Sequence, residues 1–197
     1  TTQQISALSG QQLPFLTSYQ SVGLSSEQLG ALTTAALASL TTTTISSLRG
    51  DAIPGLTSQQ AAAITTGQLI ALKTSQMSVM TTNQVVGMTS IQAAVIETQD
   101  LTSISTAVVS SLSSEAFVAL KDTSIHALTS SQVRALATVQ LEALSTAQIN
   151  LLSNPQASAL LGGQLGGLST GQLASLQTQL LASVAGDSLS GLSSVQV

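Results

Sequence analysis

One eight-residue phrase fills this chain without an insertion or a deletion, and that unbroken period limits the possible folds more than any other feature. Residues 127–152 read ALTSSQVR-ALATVQLE-ALSTAQIN-LL, the phrase three times in succession. With each octad counted from its leucine, every residue whose number is a multiple of eight is apolar, from Leu8 and Leu16 to Val184 and Leu192. Ile64, Met80, Met88, Ile96 and Ile104 are among the replacements for leucine. The second and third positions are mostly Ser or Thr, as in Thr65-Thr66 and Ser145-Thr146. The fifth is usually Gln, for example Gln60, Gln68, Gln76, Gln84 and Gln92 in succession. The sixth is apolar, with Ser21 the polar exception, and the eighth is mostly Ala, Gly or Ser.

A single continuous helix does not fit this period. At 3.6 residues per turn, eight residues advance about 800°, so each repeat rotates its leucine by roughly 80° and no apolar stripe forms. A helix that restarts in every octad fits better. Ser or Thr followed three residues later by Gln is a capping box, hydroxyl to backbone N–H and side-chain amide back to the cap. The leucine before the cap and the apolar residue after the Gln stand where a hydrophobic staple needs them, as in Leu128, Thr129, Gln132 and Val133. The expected fold is an all-α solenoid of very short capped helices, one per octad. The small eighth residue is expected to make room for consecutive pieces to pack. A β-solenoid with inward leucines and stacked Gln and Thr ladders is the alternative. Against it, the two apolar positions are three and five residues apart and do not alternate along a strand.

One octad orders eight residues for two buried aliphatic side chains, so it cannot stand alone and stability must be collective. Residues 1–197 are expected to form one continuous solenoid, part of a longer array, because the frame is never interrupted and begins and ends inside an octad. Local departures should be mild. Pro14 and Pro54, at seventh positions, should end a helical turn early, whereas Pro155 falls in a first turn and is tolerated. Gln is missing from the fifth position at Ala36, Thr44 and Ala52, again at Asp100, Val108, Ala116 and Ser124, and again at Leu180 and Ser188. These lapses recur at an offset of 72 residues, which is nine octads. Either one face of a superhelix is buried against a neighbour at that interval, or the lapses record duplication with drift; the second reading is preferred.

Composition excludes several function classes. Charged residues make up 6% of the chain against about 25% in ordinary globular proteins, so the polar surface is expected to be Ser, Thr and Gln. Such a neutral surface favours lateral packing over mutual repulsion. A net charge of −4, with only Arg49, Lys73, Lys121 and Arg134 basic, argues against a nucleic-acid partner. The absence of Cys removes disulfide and thiol chemistry, and the apolar runs are too short for a membrane span.

Each candidate for chemistry has a plainer reading. His126 is the sole histidine and stands at a variable seventh position, which favours a solvent-facing side chain over a ligand. Glu97 and Asp100 are the nearest approach to a carboxylate pair, but a catalytic dyad needs a cleft and a tuned environment. No calcium-binding nonapeptide or helix-loop-helix signature occurs. The glycines of Leu161-Gly162-Gly163-Gln164-Leu165-Gly166-Gly167 lack the spacing and basic residue of a phosphate loop and point to close packing or local flexibility. No catalytic, cofactor-binding or metal-binding residue is therefore assigned, no cofactor or small-molecule substrate is expected, and the chain is not read as an enzyme.

The phrase Ser/Thr-Ser/Thr-x-Gln-apolar-x-Ala-Leu, carried best by Leu128–Ala135 and Leu144–Ile149, resembles the octapeptide arrays of large bacterial surface or adhesin-like proteins. The resemblance implies export, an extracellular or cell-surface location, and a repetitive structural role. The expected function is a structural repeat that forms or assembles into an extracellular bacterial fibre or surface filament, with copies of itself as partner. The alternative is the stalk or spacer of a large adhesin. Leu-Thr-x-x-Gln-Val also resembles the first helix of plant-pathogen DNA-reading repeats, but their longer period and base-reading pair are missing here.

Overall fold

The computed structural model describes residues 1–8, 10–176, 182, 184 and 186–196. The fifth position Leu180 and the terminal Val197 lie outside these. The described residues form a succession of helices of three to six residues, each except Leu13–Phe15 following the second residue of its octad, with no strand among them. The β-solenoid alternative is thereby overturned: the capping groups close each octad as a helical turn.

The local design is clearest at Ser130–Ala135. Thr129 Oγ1 accepts from the Gln132 N–H at 3.1 Å, and Gln132 Oε1 accepts from the Thr129 N–H at 2.9 Å. The same reciprocal pair opens Ser58–Ala63, Thr66–Ala71 and Thr170–Ser175. The glutamine half of the box survives where the cap has no hydroxyl: Lys73, Ala137 and Leu161 still donate their N–H to Gln76, Gln140 and Gln164. Helices end without a left-handed glycine: even Gly23 and Gly87, which stand at C-caps, keep right-handed backbone. The leucine switches to extended backbone, as at Leu72 (φ −61°, ψ 137°), and the next cap residue is extended as well. Two extended residues between helical turns redirect the chain every octad, and no described residue takes positive φ. Both seventh-position prolines leave tighter 3-10 turns, Leu13–Phe15 and Gly50–Gly55, because proline lacks the N–H that an α-turn would use. Pro155 sits at the start of Asn154–Ser158, as its position predicted.

The redirected turns wind into a solenoid. Each short helix packs on the helix three octads further on: Thr34–Ser39 on Ser58–Ala63, Ser58–Ala63 on Thr82–Val86, Ser90–Ala93 on Ser114–Val118. Hydrogen bonds between coils span 25 to 31 residues, so one coil takes between three and four octads. A single apolar cluster runs from Leu13 to Val184, built from the leucine column and the sixth-position column. The sixth-position side chains are the deeper of the two, with Leu101, Ile125, Val133 and Leu141 fully buried.

Candidate functional site

The most elaborate constellation in the molecule belongs to the glutamines. Their side chains are core elements, which corrects the expectation of a Ser/Thr/Gln surface: Gln60, Gln68, Gln84 and Gln132 are each at most 2% exposed. The reason is the second half of the amide. While Oε1 caps its own helix, Nε2 donates into the preceding coil, to the carbonyls 31 and 28 residues earlier. Gln68 reaches Leu37 at 3.0 Å and Leu40 at 2.7 Å; Gln132 reaches Leu101 at 2.8 Å and Ile104 at 2.9 Å. The sixth-position carbonyls, such as Leu37 and Leu101, already accept from the N–H three residues on, whereas the leucine-position carbonyls, such as Leu40 and Ile104, lie past the last helical turn and depend on the amide. One amide thus caps the start of one helix and the end of another, one coil away. The exposed face carries Ser, Thr, scattered charges and single apolar side chains such as Tyr19, Ile70, Val86 and Ile91.

Where Gln is missing, the replacements differ. Thr44 and Ser188 donate a hydroxyl to the carbonyl 28 residues earlier, Leu16 at 3.1 Å and Leu160 at 2.8 Å. Ala36, Ala52, Val108 and Ala116 fill the place with apolar volume. Asp100, also buried, fills it with a carboxylate. The lapses run through consecutive octads, 36 to 52 and 100 to 124, so each extends around a coil. They do not mark one face, and the reading of a face buried at nine-octad intervals is set aside.

Close packing accounts for most of the glycine cluster. A Cβ at Gly166 would stand 2.5 Å from the Gly191 carbonyl oxygen, and one at Gly191 would overlap the Gly162 backbone. Gly55 meets Ser26 and Gly30 in the same way, and Gly163 faces open space. The small eighth residue therefore nests between the third and seventh positions of the coil before it. The expectation that it serves the consecutive octad is corrected: the extended leucine and cap already separate neighbours in sequence, and the close approach is between coils.

The titratable candidates are not brought together. His126 is exposed, and its Nδ1 donates to the Leu151 carbonyl of the following coil at 2.7 Å. Glu97 is exposed at its cap while Asp100 is buried, so the two stand in different environments. Arg49 and Asp51 form an exposed ion pair beside a shallow cleft of about 290 Å³. A second cleft, about 530 Å³, lies between Pro54, Ser58, Thr81 and Val86 and has no titratable lining. Among the described residues no group of three or more His, Cys, Asp or Glu is placed to hold a metal, and no helix is long and apolar enough to cross a membrane.

Fold and clasp together define an octad-repeat helical solenoid. Two adjacent stretches, residues 93–130 and 125–161, match the family model of the ALTTAQ repeat, to which this part of the chain is similar. The sextet in that description stands here as Ala143-Leu144-Ser145-Thr146-Ala147-Gln148, with one Ser for Thr. The match makes this a repeat protein over that region. No curated protein matches the chain.

Proposed function

We propose that the chain is a structural element that forms, or assembles into, an extracellular bacterial fibre or surface filament. The glutamine clasp carries this reading. It joins coil to coil with the same two bonds from Gln60 to Gln92 and again, Gln148 excepted, from Gln132 to Gln172, and a clasp with translational repeat contains no stop. A head-to-tail contact of this heterologous kind extends into a filament unless a rotation closes it. A surface with few charges supports the same reading, since it offers little repulsion between stacks. The location is part of the proposal and rests on the resemblance of the octad to arrays of bacterial surface proteins. The reading assigns no catalysis: His126 commits a nitrogen to a carbonyl, and the carboxylates are scattered among different environments.

The alternative, a stalk that spaces an adhesive domain from the cell, draws on the same unbroken stack. Sedimentation velocity and negative-stain imaging of the purified chain across a concentration series separate the two. Elongated assemblies that grow with concentration are expected. A strictly monomeric rod at every concentration would refute assembly and leave the spacer reading.

A further inference from the structure

We propose that one lateral face of the solenoid pairs with the same face of a second copy of this chain, the two running antiparallel. This deepens the assembly reading above and rests on it for the identity of the partner; that reading concerns growth end to end, this one contact side to side. The face is the column of helices Ser18–Val22, Thr42–Ser47, Thr66–Ala71, Ser90–Ala93, Ser114–Val118 and Thr138–Ala143, each packed on the one before it. Their sixth positions, such as Leu69 and Ala93, are buried in the core. The fourth and seventh positions, three residues apart, share the other side of each helical turn.

Those outward positions carry the apolar side chains. Tyr19 is 91% exposed, Ile91 70%, Val139 58% and Ile70 52%, and Val22 is exposed beside Tyr19. Val86, by contrast, lies on another column, between helices whose outward residues include Gln59 and Ala107. Charge is sparse on the pairing face. Arg49, Lys73, Lys121 and Arg134 all stand on other columns, which leaves Glu115 and Glu142 as the charged residues of these six helices. Covering the face therefore desolvates few ions.

The order of the side chains selects the partner and its direction. A two-fold axis between Thr66–Ala71 and Ser90–Ala93, perpendicular to the stack, brings Ile70 of one copy against Ile91 of the other. The same operation sets the Thr43 hydroxyl against Glu115, and Tyr19 and Val22 against Glu142 and Val139. Apolar rows meet apolar rows, and each carboxylate meets a hydroxyl that can donate to it. A parallel pair would instead oppose Glu115 to Glu115 and Glu142 to Glu142 over an apolar surface, which repels. The stripe stops at the next helix, Gly162–Gly167, where Gly163 and Gly166 offer no side chain at these positions. A six-residue helix is about 9 Å long and packed helices stand about 8–10 Å apart, so the face presents about 500 Å² per partner, about 1,000 Å² in the pair, the lower bound for a specific interface. A reversible contact, filled at high concentration, is expected.

The test is sedimentation equilibrium of the whole chain, combined with crosslinking. Wild type should form side-by-side pairs as concentration rises. Ile91→Glu should weaken pairing by about tenfold or more, because two-fold symmetry buries the new carboxylate twice. Its Tm and any end-to-end growth should stay as in wild type, since Ile91 faces solvent in the single chain. Val86→Glu, comparably exposed on another column, should pair as wild type does. The sequence contains no Cys, so Ile70→Cys and Ile91→Cys chains, mixed and oxidised with copper phenanthroline, should give the mixed disulfide ahead of either self-linked product. Equal pairing by wild type and Ile91→Glu, or self-linking of the Ile70→Cys chain that outruns the mixed product, would overturn the face and leave end-to-end assembly standing. Pairs that never elongate would support the face and refute the filament. A chain that stays monomeric throughout overturns both and leaves the stripe to a partner of another kind.

Discussion

Replacing Gln132 by alanine separates the two roles of the glutamine. The substitution deletes the Oε1 acceptor for Thr129 N–H and the Nε2 bonds to Leu101 and Ile104. The reverse half of the box, Gln132 N–H to Thr129 Oγ1, uses the backbone and survives. Each lost bond is worth about 1 kcal/mol, and the Ile104 carbonyl is left buried without a donor. Alanine returns a few tenths of a kcal/mol through helix propensity. The expected net loss is about 2–3 kcal/mol, a fall in Tm of roughly 4–10 °C. Gln28→Ala is the control. Gln28 is half-buried in the first coil, where its amide oxygen accepts from Ser25 N–H and no earlier coil offers a carbonyl. Its loss should be about 1 kcal/mol or less. Gln132→Glu keeps the capping acceptor but turns an oxygen toward two carbonyls, and should cost more than alanine. The assay is thermal and urea unfolding followed by circular dichroism, with amide hydrogen exchange to localise the loss, because a repeat array need not unfold as one unit. If Gln132→Ala cost no more than Gln28→Ala, or Gln132→Glu were as stable as wild type, the clasp would not be the bond between coils.

Gly55→Ala should destabilise the first coils by several kcal/mol, since its Cβ would overlap Ser26 backbone, whereas Gly67→Ala, whose nearest outside atom is a Thr42 methyl at 4.0 Å, should be neutral or stabilising; matched thermal melts decide. Phe117 is the one aromatic residue in the sixth-position column and is fully buried, so Phe117→Ala should cost about 3–5 kcal/mol, measured by urea unfolding. A loss under 1 kcal/mol would mean that the interior collapses around the gap.

How far the octad could be read in advance depends on the distance over which each interaction acts. Thr129, Gln132, Leu128 and Val133 lie within six residues, and their capping box and staple follow from local geometry. The 3-10 turns at Pro14 and Pro54 are local as well. The other half of Gln132 was hidden, because its partners Leu101 and Ile104 stand 31 and 28 residues away and neither interval is a multiple of eight. Gly30, Gly55, Gly162 and Gly191 look irregular in an eight-residue frame for the same reason: their spacings of 25 and 29 residues belong to the coil. Asp100 reads in sequence only as a neighbour of Glu97, and its burial shows only once the coils stack.

The sequence by itself determined the unit: a short capped helix, two extended residues, and two apolar side chains facing one way, repeated without a break. Every group involved lies within one octad, and steric and hydrogen-bonding rules act at that range. The tertiary structure decided how many octads close a coil, which carbonyls each glutamine amide meets, and which glycines touch. Those follow from small rotations at each extended leucine and cap, which accumulate over three to four octads before any contact forms. A period of eight states what repeats, and the winding of the coil states what it repeats against.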